Sequence, residues 1–306
     1  MALCARIDRH GLIAAECELL TGGLPDGDGV ARCASVDLVT RAAYVRLGLH
    51  VLAEARDLGS LVEVVAGLDL DADGFRVDLH DPSARLDRSS REVAIALADV
   101  IDADPDLRRP RHRFVVVSAA GGVVLAEVAT ETDAGYRIHD TKPWTTSSSL
   151  DARFARGLVN LVPGATSVLD PFCGAGSIVL EAASLGLEAT GVDWKPAMVG
   201  MTRENLDHFG YSATVDRSDS RTVEHRADAV VTDLPYGHAI DGDEATIRTV
   251  LERCAHLAPR GVYVAPHDIS DWLADAGHDV ASVHRVVKRR GFTRHVHVTG
   301  SRAAGA

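Results

Sequence analysis

Two segments of the chain carry residues whose types and spacing could do chemistry. Each begins with an aspartate that follows an apolar run and precedes residues that favour a turn. The first segment reads Asp170-Pro171-Phe172-Cys173-Gly174-Ala175-Gly176-Ser177. The second reads Asp233-Leu234-Pro235-Tyr236-Gly237. Together they predict a cofactor loop and, beside it, a slot for a flat ring that carries an amine.

The glycine loop predicts a site for a cofactor that carries an anionic group. A β-carbon at Gly174 or Gly176 would obstruct the approach of a ligand to the backbone. The helix predicted from Ser177 presents backbone N–H groups that suit a carboxylate, such as the one at the methionine end of S-adenosylmethionine. A dinucleotide would place its pyrophosphate there instead, so the loop alone leaves both cofactors open.

Two further acidic residues follow the next predicted strands. Asp193 suits the ribose hydroxyls of a nucleoside, although the spacing is shared with dinucleotide folds. Asp219 could accept a hydrogen bond from an adenine amine, or it could be an ordinary loop residue. The predicted cofactor-binding residues are Asp170, Phe172, Gly174, Ala175, Gly176, Asp193, Trp194 and Asp219. No Cys/His cluster has zinc-finger spacing, and no metal site is predicted.

The second segment predicts catalysis at an aromatic amine, whose lone pair is delocalised into its ring. The Asp233 carboxylate and the Leu234 carbonyl could accept its N–H groups and localise that pair, with Pro235 fixing the turn. Tyr236 can stack on the ring, and Asp233 can take the proton. A base inside a duplex would have to be extruded. With the glycine loop, this predicts methyl transfer from S-adenosylmethionine to the exocyclic amine of a nucleobase, whereas the segment alone could be a plain turn.

Strand and helix patterns alternate through the second half of the chain and predict an α/β fold with a mostly parallel sheet. The strands are predicted at 167–170, 189–193, 213–215, 229–233, 261–265, 280–287 and 292–298, and the helices at 150–161, 177–185, 196–209, 244–258 and 269–276. The first half is less regular. It predicts helices at 36–53 and 91–101, a strand at 75–79, and a hairpin of 114–117 and 123–128 around Gly121-Gly122.

At these motifs the chain resembles the class I S-adenosylmethionine-dependent methyltransferases. Within them it is similar to the archaeal-type tRNA guanine-N2 methyltransferases that carry a THUMP domain. The resemblance covers Lys142 to Val298 and includes Gly191-Val192-Asp193 and the helix with Arg156 and Asn160. It implies a Rossmann-like domain with a seven-stranded, mostly parallel sheet over 162–306, preceded by a smaller THUMP-like α/β domain over 1–140 with a ferredoxin-like N-terminal part, and a linker and helix over 141–161.

The resemblance also implies an activity, which is methylation of the guanine N2 amine at tRNA position 10, once or twice. Carried over, Asp233, Leu234, Pro235 and Tyr236 form the target-base site. Leu234 replaces the proline found in many Asp-Pro-Pro-Tyr enzymes, a change that this family tolerates. Asp151 stands where many members of the family carry His. The rivals are DNA adenine-N6 methylation, methylation of a protein glutamine amide, and a catalytically inactive RNA-binding homologue.

Composition bears on partner and compartment. The net charge is −12, and only Lys142, Lys195 and Lys288 among 32 basic residues are lysines, so a tRNA partner requires local basic clusters. Such clusters are Arg108, Arg109, Arg111, His112 and Arg113, and Lys288, Arg289, Arg290, Arg294 and His295. No apolar run of transmembrane length and no secretory signal is evident. We therefore expect a cytoplasmic protein without membrane contact, with a monomer favoured.

Overall fold

The structure is a computed structural model that describes residues 1–5, 10–70, 72–235, 244–289 and 291–300. The chain folds into two compact units. Helix α1 (His10–Thr21) belongs to the second unit over residues 10–19, and so does the segment Arg41–Tyr44. The remaining described residues up to Thr132 form the first unit, and those from Asp133 onward complete the second.

The first unit is built on a six-stranded sheet with the order β2-β1-β3-β6-β5-β4. Its strands are β1 (Ala2–Cys4), β2 (Val30–Ala31), β3 (Val45–Ala55), β4 (Phe75–His80), β5 (His112–Ala119) and β6 (Gly122–Glu131). Among these strands, only β4 and β5 pair in parallel. Helices α2 (Leu58–Ala66) and α3 (Ser90–Ala98) bury Leu61, Val65, Val93 and Leu97 against one face of this sheet. The predicted strand, hairpin and second helix of this half are therefore confirmed.

The helix predicted over 36–53 is wrong. A short 3-10 helix, Asp37–Arg41, is followed by β3, which lies between β1 and β6. Val45, Leu47 and Leu49 are buried along this strand. Apolar residues in this run fit a helical period as well as a strand. Pairing with β6 from Leu47 to Ala55 decides in favour of the strand, because tertiary context overrides weak local preference.

The second unit contains the predicted seven-stranded, mostly parallel sheet, with the order β12-β13-β11-β10-β7-β8-β9. Its strands are β7 (Ser167–Asp170), β8 (Glu188–Asp193), β9 (Thr214–Arg217), β10 (Ala229–Asp233), β11 (Arg260–Ala265), β12 (Val280–Arg289) and β13 (Phe292–Thr299). Its helices after α3 are α4 (Ala152–Asn160), α5 (Ser177–Ser184), α6 (Pro196–Phe209), α7 (Glu244–Leu257) and α8 (Ser270–Asp275). The predicted fold class is confirmed, and the elements match their predicted positions within a few residues.

Parallel pairing sets where the sheet presents its acidic residues. Strands β8, β7, β10 and β11 run in the same direction, and β13 runs antiparallel to β11. Asp170, Asp193 and Asp233 are the last residues of β7, β8 and β10. All three therefore lie at the end of the sheet where these parallel strands terminate. Within the described ranges, every helix is too short or too polar to cross a bilayer.

A buried carboxylate joins α1 to the second unit. Glu16 accepts hydrogen bonds from the backbone N–H groups of Ala43 (2.8 Å) and Tyr44 (2.7 Å), and from Asn160 Nδ2 at 2.7 Å. A β-carbon at Gly157 would lie 2.5 Å from the Tyr44 ring, so α4 approaches Tyr44 closely. These contacts explain why residues 10–19 and 41–44 pack with the second unit, although the resemblance assigns them to a domain over 1–140. The THUMP-like character of that domain stays a prediction.

A second buried ionic cluster connects α4 to α5. Glu181 is fully buried, and its two carboxylate oxygens accept from Arg156 Nε at 2.8 Å and contact His139 Nδ1 at 2.7 Å. Arg156 also donates to Ser184 Oγ at 2.7 Å. Because Arg156 is itself buried, loss of the carboxylate would remove the ion-pair partner of its guanidinium group among the described residues.

We predict that Glu181→Ala lowers the free energy of unfolding by about 3–5 kcal/mol, the cost of stranding a buried charge. Glu244→Ala is the matched control, because Glu244 forms an exposed ion pair with Arg248, which contributes only about 0.5 kcal/mol. Urea denaturation followed by circular dichroism measures both. Equal losses for the two variants would contradict a stabilising role for the buried cluster.

Candidate active site

The acidic strand ends border a cavity of about 560 Å³ in the second unit. Most of the predicted site residues line it: Asp170, Phe172, Gly174, Ala175, Asp193, Trp194, Asp219, Asp233, Leu234 and Pro235. Tyr236 and Gly237 lie outside the described residues. The structure thus brings the two chemical segments together around one cavity, as the parallel sheet requires.

The two glycines of the loop have different surroundings. Gly174 lines the cavity with φ +53°, and a β-carbon there would meet no atom within 4 Å. Gly176 does not line the cavity, and with φ +81° it precedes α5. A β-carbon at Gly176 would lie 2.6 Å from Thr202 Cγ2 of α6. Close approach of a ligand therefore explains the need for glycine only at position 174. Close packing of the loop against α6 explains the need for glycine at position 176.

Asp170 is a structural acid at the floor of the cavity. Its Oδ1 accepts hydrogen bonds from Thr232 Oγ1 (2.7 Å) and from the Phe172 N–H (3.1 Å). Burial raises the pKa of Asp170 to about 7, despite these two donors. The carboxyl group therefore connects β7, β10 and the glycine loop.

Asp193 also supports the glycine loop. Its Oδ2 accepts from the Gly174 N–H at 3.1 Å and its Oδ1 from the Lys195 N–H at 2.9 Å. Burial raises the pKa of Asp193, and these two hydrogen bonds oppose that effect. Trp194, the next residue, is about half exposed, and Lys195 Nζ lies 5.2 Å from its ring centroid. The loop and an aromatic face therefore lie next to the same carboxylate.

Asp219 occupies the side of the cavity after β9. Its carboxylate forms a two-pronged ion pair with Arg221, with nitrogen–oxygen distances of 2.5–3.0 Å, and accepts the Arg221 N–H. These hydrogen bonds lower the pKa of Asp219. Neighbouring Ser220 donates from Oγ to the Pro171 carbonyl at 2.5 Å. Asp219 therefore reaches the cavity as a charged group that already has a partner.

Asp233 has the least satisfied carboxylate of the site. Its side chain is 16% exposed, and its Oδ1 is buried and accepts no hydrogen bond from the part of the chain that the structure describes. Burial raises the pKa of Asp233 to about 7, and the positive charges of Arg294 and Lys288 oppose this effect. An acceptor in this state costs free energy unless an N–H or O–H group occupies it.

Leu234 and Pro235 continue the strand end beside Asp233. The Leu234 N–H donates to the Val264 carbonyl at 3.0 Å, which extends the pairing of β10 with β11 by one residue. Proline lacks this donor, so leucine gains a hydrogen bond that Asp-Pro-Pro-Tyr would not make. Asp151 has an equally local explanation, because its Oδ1 caps α4 by accepting the Phe154 N–H at 2.8 Å.

A hydroxyl-rich wall of the cavity was not predicted. Thr146, Ser148 and Ser149 line the cavity, although the sequence pattern predicts only a linker there. Asn205, buried on α6, exchanges hydrogen bonds with the backbone of Trp144 (2.9 Å each way) and donates to the Ala175 carbonyl at 2.8 Å. One side chain therefore fastens this segment to the glycine loop. The run of Thr and Ser before α4 is the signal that could have indicated it.

The basic clusters differ from their predicted roles. In the first, Arg111, His112 and Arg113 pair with Asp73, Glu127 and Glu131, whereas Arg108 and Arg109 are exposed. In the second, Lys288 is exposed, and Arg290 and the side chain of Arg289 lie outside the described residues.

Arg294 of the second cluster is not a surface contact for tRNA, because it is 3% exposed. Its Nη2 lies 3.7 Å from Asp233 Oδ2. His295 beside it is half-buried. Sequence spacing does not show which residues of a hairpin point inward, so this correction required the structure.

Comparisons with known proteins agree with the motifs. Residues 139–265 match a family described as RMKL-like, methyltransferase domain. A tRNA (guanine(10)-N2)-dimethyltransferase of Methanothermobacter thermautotrophicus is 30% identical over 289 residues, which cover 85% of this chain and 84% of that protein. One of Pyrococcus abyssi is 31% identical over 139 residues, 42% of each chain. The solved structure of TrmN from Thermus thermophilus has a TM-score of 0.47 and 20% identity over 89% of this chain and 88% of that one.

The first of these relatives matches most of both chains, so the similarity extends beyond the cofactor loop that many methyltransferases share. The resemblance inferred from the motifs is thereby confirmed. The chain belongs to the family of the tRNA (guanine(10)-N2)-dimethyltransferases.

Proposed function

We propose that this chain transfers methyl groups from S-adenosylmethionine to the N2 amine of guanine 10 in tRNA, giving N2-methylguanosine and N2,N2-dimethylguanosine. The observation that carries the proposal is Asp233, which lines the cavity and whose buried Oδ1 accepts no hydrogen bond from the described residues. The names of the relatives supply the nucleotide position and the second methyl group.

The cavity residues fit the cofactor. Open space at Gly174 admits a ligand close to the backbone, and α5 directs its N-terminus towards the loop, where a carboxylate is favoured. Asp193 would bind the ribose hydroxyls, with Trp194 beside it. The carboxylates of Asp170 and Asp233 at the cavity favour a bound cation electrostatically. S-adenosylmethionine supplies a methyl group on a positively charged sulfur.

The residues after β10 would activate the amine. Asp233 Oδ1 accepts one N–H of the target amine and the Leu234 carbonyl accepts the other, which favours a pyramidal nitrogen with a localised lone pair. Tyr236, which lies outside the described residues, would stack on the base. As the nitrogen gained the methyl group, the bond between that carbon and sulfur would break and release neutral S-adenosylhomocysteine. The amine would become positively charged, and the Asp233 carboxylate would stabilise that charge and take the proton. Holding the amine in line with the methyl group supplies much of the rate.

We infer that residues 1–140 provide a THUMP-like surface for tRNA and that the protein acts in the cytoplasm as a monomer. Two observations support the tRNA surface. The first unit has its own sheet and core, and it presents Arg108 and Arg109 on an exposed segment before β5. Local positive charge of this kind attracts phosphates despite a net charge of −12.

The proposal is tested by incubating the protein with unmodified tRNA and methyl-labelled S-adenosylmethionine at several salt concentrations, followed by digestion to nucleosides. We expect labelled N2-methylguanosine and its dimethyl form. Duplex DNA and total protein serve as parallel substrates. Label only in N6-methyladenine of DNA, or only in protein, would overturn the proposal, and so would intact cofactor binding without any tRNA methylation.

Asp233→Asn should lower kcat by at least about 10²-fold, because the amide is neutral and cannot take the proton. Its affinity for S-adenosylmethionine, measured by calorimetry, should stay near that of the unchanged protein. Asp216→Asn is the matched control, since Asp216 lies on β9 beside β8 but pairs with His225 and does not line the cavity. Comparable activity of Asp233→Asn and the control would remove Asp233 from the mechanism.

The rate should also depend on pH. Because burial raises the pKa of Asp233 to about 7, the carboxylate needed as acceptor is lost as the pH falls through about 7. We therefore predict that the rate constant for a single turnover declines below pH 7 and levels off above it. The pKa of Asp170 is also about 7, so cofactor affinity is measured over the same range. A decline in affinity alone would assign the dependence to Asp170 instead.

A further inference from the structure

Arg294 is a buried cation near the end of the sheet where the parallel strands terminate. The proposed reaction does not use it directly. It lies on β13, and its side chain is only 4% exposed. Its Nη2 is 3.7 Å from Asp233 Oδ2, and its guanidinium carbon lies 5.2 Å from the centroid of the Phe154 ring. Burying a guanidinium group is costly unless it is paired. The Asp233 carboxylate lies next to Arg294 and supplies an opposite charge.

The two oxygens of Asp233 have different environments. Oδ2 is the one that faces Arg294, whereas Oδ1 is buried without a hydrogen bond from the described residues. Arg294 itself is not among the residues that line the cavity. It lies beside Asp233, which does line the cavity, so we treat Arg294 as a positioning residue.

We propose that Arg294 holds Asp233 Oδ2 and favours the ionised carboxylate, so that Oδ1 is left as the acceptor for the target amine. This inference rests on the proposed function for the identity of the amine. The contact between the two side chains belongs to the fold and does not depend on the substrate.

The charges around Asp233 support this role. Arg294 on β13 and Lys288 on β12 favour the ionised carboxylate of Asp233, and the charge of Asp233 in turn raises the pKa of Asp170 on β7. Lys288 is exposed, so solvent screens its charge. Arg294 is buried and close, so its charge acts at a lower effective dielectric constant. Arg294 therefore opposes the cost of burying the Asp233 charge more strongly than Lys288 does.

Phe154 fixes the direction of the guanidinium. The ring belongs to α4, whose first turn is capped by Asp151. A cation above an aromatic face is attracted to it, and a planar guanidinium stacks there in a way that an ammonium group does not. Lysine at position 294 should therefore keep the charge near Asp233 but lose part of its orientation.

The experiment compares Arg294→Met, which keeps an unbranched side chain against Phe154, with Arg294→Lys. Carbon-13 spectra of protein labelled at aspartate carboxyl carbons follow the titration of Asp233, whose signal is identified by its loss in Asp233→Asn. We expect Asp233 to titrate at a higher pH in Arg294→Met and near its original pH in Arg294→Lys. The pH below which kcat declines should shift in the same direction. In Arg294→Met, kcat itself should fall by about tenfold or more.

Arg285→Met is the matched control, because Arg285 is exposed on β12 of the same hairpin. This variant should leave the titration of Asp233 and the pH dependence of kcat unchanged. Cofactor affinity and thermal melting establish that each variant is folded. An unchanged titration of Asp233 in folded Arg294→Met would overturn the inference, and so would the same shift in Arg285→Met. If the unchanged protein methylates no tRNA guanine but Arg294→Met still shifts Asp233, the proposed function fails and the role of Arg294 stands.

Discussion

Parallel strand pairing is the constraint on which the site depends. Because β7, β8 and β10 run in the same direction, the aspartates that end them meet at one edge of the sheet, although they are distant in the chain. The glycine loop and the hydroxyl-rich segment before α4 then close around that edge, fastened by Asn205. A sheet with one of these strands reversed would place its carboxylate at the opposite edge and leave no cavity with this chemistry.

Two of the carboxylates at the cavity, Asp170 and Asp233, differ in their hydrogen-bond partners. Desolvation raises the pKa of both Asp170 and Asp233 to about 7, but their partners differ. Asp170 accepts from Thr232 and from the Phe172 backbone, so it holds the floor of the cavity together. Asp233 faces one buried cation, and its Oδ1 accepts no hydrogen bond from the described residues. The same residue type at equivalent strand ends therefore has two donors to one oxygen in Asp170 and none from the described residues to Oδ1 of Asp233.

Local signals in the sequence were sufficient for the seven-stranded sheet and for α4 to α8 of the second unit. Short apolar runs ending in aspartate, Pro196 at the start of α6 and Gly210 at its end predicted the elements, and parallel pairing followed from their alternation. Features that depend on tertiary contacts were missed. The run around Val45 became a strand through its pairing with β6. Arg294 was predicted as a surface residue because spacing does not reveal which side of a strand faces the interior, and Glu16 gave no sign of its buried partners.

Catalysis directed at one amine is the central claim, and the most direct test removes only that amine. Inosine at position 10 of an otherwise unmodified tRNA keeps the purine ring and the O6 and N1 groups of guanosine but lacks the N2 group. Methyl transfer to this tRNA and to its guanosine counterpart should be measured under single-turnover conditions. We predict transfer to guanosine and none to inosine, with similar tRNA affinities. Undiminished transfer to the inosine tRNA would contradict the claim that the carboxylate of Asp233 serves a guanine N2 amine at this position.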